Sequence, residues 1–282
     1  MPKVSVPSLL AALTVWLLNA AQAAEKPPGP SVRPAHVSVE YALDFIGIPF
    51  GHTNYDIHIS RDSYRASSHF ETRGIVSAFW ESTIDASASG QFTPAGMLPR
   101  EYDSYHRRGQ KRQRVKLTYG TDRIPLLVAE PPYDVHKYPV TDAQKKEGID
   151  PVSNATAILA GLSQSAAKPC GTTAAVFDGR RRYDIDFTWL RDEPVKLQNG
   201  LFDGKAHLCL LHYNQIAGFK PKILKEGRAL PPAYVLLGEI PSAGSSRGHY
   251  LVPLKLWAWT GFGTVTGTLT QMNIEEETST KD

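Results

Sequence analysis

Apolar and polar residues alternate with period two from His36 onward, and that rhythm sets the first elements of the fold. Val37, Val39, Tyr41, Leu43 and Phe45 fall on one side of an extended chain, with Ser38, Glu40 and Asp44 on the other, the pattern of a half-buried strand. Beyond a break at Gly47, Pro49 and Gly51, Tyr55, Ile57 and Ile59 resume the period beside Asp56, His58 and Ser60, which predicts a hairpin. Segments 64–72, 75–86 and 110–119, bounded by Gly, Ser or Pro, continue the meander. Helical periodicity emerges over 151–163. There Val152, Ala155, Ile158, Leu159 and Leu162 form an apolar stripe behind an Asp150 N-cap and a Pro151 at the first helical position.

Strand patterns then return. Asp178-Gly179 lies between extended flanks over 172–189 and predicts a two-residue turn that pairs Phe177 with Arg180. That register puts Cys170, Thr172, Ala174 and Val176 on the face of Tyr183, Ile185 and Phe187, so Cys170 points into the core. Further strands are expected over 205–217, 233–240, 248–260 and 264–272. In the third of these, Tyr250, Val252, Leu254 and Leu256 occupy one face and Leu251, Pro253, Trp257 and Trp259 the other. A strand that is apolar on both faces needs two covers. About eleven strands and one helix result. The expected fold is all-β and mainly antiparallel: a strongly curved, partly closed β-barrel or β-spiral around one central α-helix.

The first 23 residues have another character. Lys3 precedes an apolar run from Leu9 to Leu18 broken only by Thr14, and Ala21-Gln22-Ala23 offers small residues for cleavage, as in an export signal. The run falls short of the roughly 20 apolar residues of a membrane span, and no later window reaches that length. The expected organisation is a signal peptide over 1–23, a Pro-rich disordered leader over 24–35, one β domain over 36–272 and a disordered tail over 273–282. The expected location is the periplasm. Without Lys3 the formal charge is 30 minus 28, or +2, so no global charge favours nucleic acid or a membrane surface. In an oxidising compartment the only two cysteines, Cys170 and Cys209, favour one structural disulfide over two free buried thiols.

The search for chemistry yields little. His207, Cys209 and His212 form the one dense cluster of potential metal ligands, but on a strand His212 points away from the other two, and no metal site is expected. Gly161-Leu162-Ser163-Gln164-Ser165 lacks the closing glycine of a nucleophile elbow. No P-loop or GxGxxG indicates a cofactor. Asp184 and Asp186, beside Arg180, Arg181 and Arg182, read as the solvated face of a hairpin rather than as a carboxylate pair. Arg107, Arg108, Lys111, Arg112 and Arg114, with Lys116 and Gly109, form a candidate anion-binding hairpin tip. Trp80, Trp189, Trp257, Trp259 and Tyr250 are candidates to line an apolar ligand cavity, although aromatic residues on strands are first of all core residues.

Several short motifs add a resemblance. Gly47 to Gly51, Pro99 to Tyr102, Asp150-Pro151, Phe177-Asp178-Gly179-Arg180-Arg181-Arg182-Tyr183 after Cys170, and Cys209 with Ile216-Ala217-Gly218 resemble the pattern of the envelope proteins grouped as domain of unknown function family 3108. The resemblance spans residues 36–270, and the Asp-Gly hairpin with its arginine run is its most specific part. It implies an exported, all-β protein with no assigned enzymatic activity. Its expected architecture is similar to that of periplasmic lipoprotein carriers. The resulting expectation is a non-enzymatic envelope protein that binds a lipid, another apolar ligand or an envelope partner and supports envelope integrity. The alternatives are a hydrolase of envelope glycan or lipid using carboxylates such as Asp184 or Glu239, and a purely structural scaffold.

Overall fold

A computed structural model describes residues 34–93, 96–161, 170–226, 230–242 and 249–276. The expected signal peptide lies outside the described residues. Thirteen strands form a single sheet in which every pair of neighbours is antiparallel. The first meander comprises β1 (Ala35–Phe45), β2 (Ile48–Ile59), β3 (Ser63–Thr72), β4 (Ser82–Thr93), β5 (Gly96–Arg108), β6 (Lys111–Tyr119) and β7 (Pro125–Glu130). The second comprises β8 (Thr173–Phe177), β9 (Arg182–Lys196), β10 (Asp203–Ala217), β11 (Ala233–Pro241), β12 (His249–Trp259) and β13 (Thr264–Glu276). β1 pairs with β13, joining the two halves in the order β7-β6-β5-β4-β3-β2-β1-β13-β12-β11-β10-β9-β8. The sheet is not closed: its edges are β7 and β8.

Residues 131–172 connect those edges and carry α2 (Asp142–Glu147) and α3 (Pro151–Leu159), while α1 (Gly74–Phe79) and α4 (Pro221–Glu226) interrupt the meanders. α3 contacts β3, β4 and β5 of the first half and β8 and β12 of the second. Its cap is built as the sequence indicates: Asp150 Oδ1 accepts from the Ser153 amide at 2.8 Å, with Pro151 at the helix start. Tyr64 Oη, Ser153 Oγ and Asp150 Oδ2 form a buried chain of hydrogen bonds, each 2.6 Å long. Burial raises the Asp150 carboxyl to about 6 against the pull of the Ser153 hydrogen bonds.

Several expectations need correction. α3 ends four residues before the predicted 163, because Gly161 takes a positive φ of 68° and a Cβ there would lie 2.5 Å from the His249 carbonyl oxygen. The predicted strand over 75–86 is α1 followed by β4. Thr72 closes the excursion, donating to the Trp80 carbonyl and accepting from the Ser82 amide, both at 2.9 Å. The Asp178-Gly179 turn has four loop residues, not two, because Phe177 pairs with Arg182. Two added residues preserve side-chain parity, so Val176 opposes Tyr183 and Ala174 opposes Ile185 on the predicted face. Two-residue turns lie instead at Ile46-Gly47, both with positive φ, between paired Phe45 and Ile48, and at Gly109-Gln110, between paired Arg108 and Lys111. β1 begins at Ala35, and β13 runs to Glu276 through residues expected to form a tail.

Two cores result. The larger unites Val37, Val39, Ile57, Tyr64, Leu254 and Leu269 with Val152 and Leu159 of α3. The smaller holds Cys170, Cys209, Val235, Leu237 and Leu251. Strand alternation puts them on opposite faces of the second meander, since Ala206 and Leu208 of β10 belong to the larger core and Cys209 to the smaller. Cys170 thus points into the outer core rather than the one containing α3. The two cysteine Cα atoms are 6.2 Å apart, at disulfide-bonding distance.

Candidate functional site

The unclosed seam is the first place where the fold exposes apolar side chains beside a hollow. β7 pairs with β6 on one side and, among the described residues, with no strand on the other. Its alternation buries Leu127 toward the larger core and exposes Leu126, at 68% accessibility, and Val128. The facing edge of β8 is occupied, since the Ile149 amide donates to the Ala175 carbonyl and the Phe177 amide to the Ile149 carbonyl, both at 3.0 Å. Between the two edges is a hollow of about 400 Å³, lined among others by Leu126, Leu127, Tyr133, Val135, Val140 and Phe177, with Lys145 and Arg180 also contributing. The Tyr133 hydroxyl donates to the Gly179 carbonyl at 2.6 Å, and the Arg180 guanidinium lies 5.4 Å from the Tyr133 ring centroid. Burial pushes the Tyr133 hydroxyl up to about 12. Gly179 allows the closest approach across the seam: a Cβ on it would lie 2.5 Å from Val115 Cγ1. The hollow is therefore mainly apolar and walled on one side by an edge strand; of its charged lining, Arg180 lies over Tyr133, Lys145 is paired with Asp142 at 2.8 Å, and Asp134 adds a carboxylate.

The predicted aromatic residues do not gather around that hollow. Trp80 is exposed beyond α1 beneath the Arg108 guanidinium. The Trp189 indole donates to Asp192 on β9. Trp257 stacks on Tyr234, and Trp259 is exposed two residues later. Tyr250 is buried in the larger core, seven residues from Trp257 and therefore about 23 Å away along β12.

The basic hairpin is formed as expected at its tip. Arg107 opposes Arg112 and Arg108 opposes Lys111, all four exposed. Arg114 is engaged, because its Nε and one terminal nitrogen donate to the two Asp103 oxygens at 2.9 and 2.6 Å.

Glu239 and Asp184, the carboxylates of the hydrolase alternative, lie apart. Asp184 opposes Asn214 of β10, whereas Glu239 lies near the other end of that strand, so about 25 Å separates them. Asp184 pairs with Arg182, which is 4% exposed, so the predicted solvated face is buried at this point. Glu239 Oε1 lies 2.9 Å from His207 Nε2, and Asp192 Oδ1 lies 2.7 Å from His207 Nδ1. Hydrogen bonds from His207, then from Trp189, hold the Asp192 carboxyl far below the usual carboxylate range. The imidazole fills the gap between the two carboxylates, leaving no room there for a substrate oxygen. His207 is buried while His212 is exposed, so these two do not converge.

Sequence reasoning found the polar side of the first strands but missed the cross-strand pairs on that outer face. Antiparallel register sets His36 opposite His58, His52 opposite Glu71 and His69 opposite Asp85. The first pair stacks with ring centroids 4.2 Å apart. The His52 ring is held below its ordinary pKa by burial and then by Arg73, while an Arg73 hydrogen bond lowers Glu71. Outward histidines at 52, 58 and 69 were visible in the alternation; their partners needed the strand register.

Known proteins place this architecture. No curated protein matches the chain. The crystal structure of a beta-barrel-like protein of domain of unknown function DUF1849 from Brucella abortus superposes with a TM-score of 0.51 at 12% identity, covering 88% of this chain and 100% of that one. The likeness establishes a shared fold. Residues 38–270 match the family described as "Protein of unknown function (DUF3108)", and the chain belongs to that family.

Proposed function

We propose that this is an exported, non-enzymatic protein of the bacterial cell envelope that binds an apolar ligand with an anionic end at the seam between β7 and the β8–β9 turn. The observation that carries the proposal is the apolar hollow beside the unpaired edge of β7, with Lys145 and Arg180 among its lining. Apolar walls would take up an acyl chain, and the two cations would meet a carboxylate or phosphate. A sheet of thirteen strands exceeds what an open, twisted sheet usually carries without curling, which supports a sheet curled around α3 with its interior filled and its seam left as the binding place. The N-terminal export pattern and a cysteine pair at bonding distance fit an oxidising compartment.

Native mass spectrometry of the full chain, isolated from the periplasm under mild conditions, tests this reading. Expected is a co-purifying acidic lipid or fatty acid that is lost when Leu126 and Val128 are both replaced by Asp. Repeated recovery of ligand-free protein, also after incubation with phosphatidylglycerol vesicles, would overturn it. Recovery of a stoichiometric protein partner instead would favour the second reading, docking of a partner strand on the free edge of β7, for which the exposure of Leu126 and Val128 is the specific support.

A further inference from the structure

On the outer face of β2 and β3, three side chains converge in a way that hydrogen bonding does not explain. His52 opposes Glu71 across the strand pair, and His69 lies two residues before Glu71 on the same face. His52 Nδ1 is 3.5 Å from Glu71 Oε1, His69 Nε2 is 3.7 Å from Glu71 Oε2, and the ligand atoms of all three lie within 4.8 Å of one another. Both contacts are too long for good hydrogen bonds. The distance from His69 Nε2 to Glu71 Oε2 is near the spacing of about 3.3–3.5 Å between neighbouring donors that each sit 2.0–2.1 Å from a tetrahedral ion, and His52 Nδ1 faces the same carboxylate. His52 Nδ1 is buried and has no hydrogen-bond partner among the described residues, a costly state that a bound cation would relieve. The two rings are tilted by 56° with centroids 5.9 Å apart.

The surroundings are those of a ligand set. His69 Nδ1 lies 2.7 Å from Asp85 Oδ1, the carboxylate–histidine arrangement that fixes the ring and leaves Nε2 to the metal. Arg73 Nε donates to Glu71 Oε1 at 2.6 Å, occupying one oxygen and leaving Oε2 toward His69. The neighbouring trio provides a contrast: its three ligand atoms are equally close, but His36 Nε2 is at hydrogen-bond distance from one Asp56 oxygen, 2.8 Å, and His58 Nε2 lies 3.3 Å from the other, so hydrogen bonding already accounts for that cluster.

We propose that His52 Nδ1, His69 Nε2 and Glu71 Oε2 bind one divalent transition-metal ion, with zinc the best match to two imidazoles and a carboxylate, and that Asp85 is the positioning residue for His69. Three protein donors leave a fourth position for water or a donor atom of a ligand. The Arg73 charge beside Glu71 opposes the cation and weakens binding.

The test is calorimetric titration of zinc chloride into the full chain after chelator treatment and dialysis, read together with the zinc-induced rise in unfolding temperature. Expected is one equivalent bound per chain, lost by at least 100-fold in His52→Ala and His69→Ala and weakened 10- to 100-fold in Asp85→Asn. Arg73→Ala is expected to bind more tightly, an effect that loss of folding cannot imitate. The His36→Ala/His58→Ala double variant is expected to bind zinc like the parent. Unaltered unfolding temperatures of the metal-free variants show that each still folds. Absence of saturable uptake by the parent would overturn the site, as would uptake that survives both single histidine losses or disappears in the His36/His58 variant.

Discussion

The two meanders follow the same antiparallel rule but deal differently with their outer faces. The first turns one apolar face toward α3 and leaves the other polar, with His36, Asp56, Ser67, Asp85 and Asp103 along neighbouring strands. The second is apolar on both faces over β10, β11 and β12: Leu208, Leu236 and Val252 enter the larger core while Cys209, Val235 and Leu251 enter the smaller. A sheet face open to water needs only polar side chains, whereas a second apolar face needs a lid. Cys170 joins this smaller core at disulfide-bonding distance from Cys209 of β10. The half with the polar face can therefore carry exposed donor groups for binding, and the half with two cores is expected to depend on the cysteine pair.

The largest expected effect tests that dependence. The Cys170→Ser/Cys209→Ser variant should lose about 4 kcal/mol, the chain-entropy value for a cross-link between residues 39 apart. The loss would appear as a lower urea midpoint. Amide exchange should accelerate more in β10–β12 than in β1–β4. A loss below about 1 kcal/mol, or equal acceleration in both halves, would break the contrast.

A second test uses opposite pH responses. Burial raises Asp150 to about 6 in the folded protein against about 3.8 unfolded, so between these values the native state holds more protons and stability falls as pH rises. The full penalty, about 3 kcal/mol, is present above pH 6 and absent below pH 4. Asp150→Asn should remove this slope while retaining an N-cap. Asp192 in the second half acts with the opposite sign: its depressed carboxyl supports the fold above the unfolded carboxylate pKa, and that support is lost as pH falls below it. Urea midpoints from pH 3 to pH 8 for Asp150→Asn and Asp192→Asn separate the two. A stability difference between the parent and Asp150→Asn that stays constant from pH 4 to 7 would contradict the role of Asp150.

At the seam, Gly179→Ala should cost about 1–2 kcal/mol, since φ there is +91° and the new methyl would press on Val115 of β6. A neutral outcome would mean that the two halves do not rest on each other at this turn.

These differences also explain what the sequence made legible. β1, the later part of β2, and the Asp150-Pro151 helix start are local patterns, and each is found where the alternation or cap signal places it. β5 was hidden by Pro99, which sits at a register shift opposite Gly90, and by a charged end that reads as a loop. β7 has only six residues, and α1 lies within a segment whose composition suits a strand. Register was partly legible: parity across the Asp178 hairpin survived a two-residue error, and an error of one would have inverted it. The His52–Glu71 pairing was the hardest to see, because it depends on the length of the 60–62 connection and not on any motif.

The smallest effect on stability falls where the proposed binding is largest. Leu126 and Val128 are exposed on an edge strand, so replacing either with Lys should alter the unfolding free energy by no more than about 0.5 kcal/mol. An exposed apolar pair on an unpaired edge is an aggregation hazard unless something covers it. Lys at either position should therefore raise solubility, and at Leu126, which lines the hollow, also lower ligand capture, with the urea midpoint unchanged. Equivalent changes at Trp259, which is exposed on β12 away from the seam, should alter neither capture nor stability. If Leu126→Lys instead lowers the midpoint by several times that amount, the edge is covered by this chain's own residues, and the seam is part of the core that unites the halves rather than a place for a ligand.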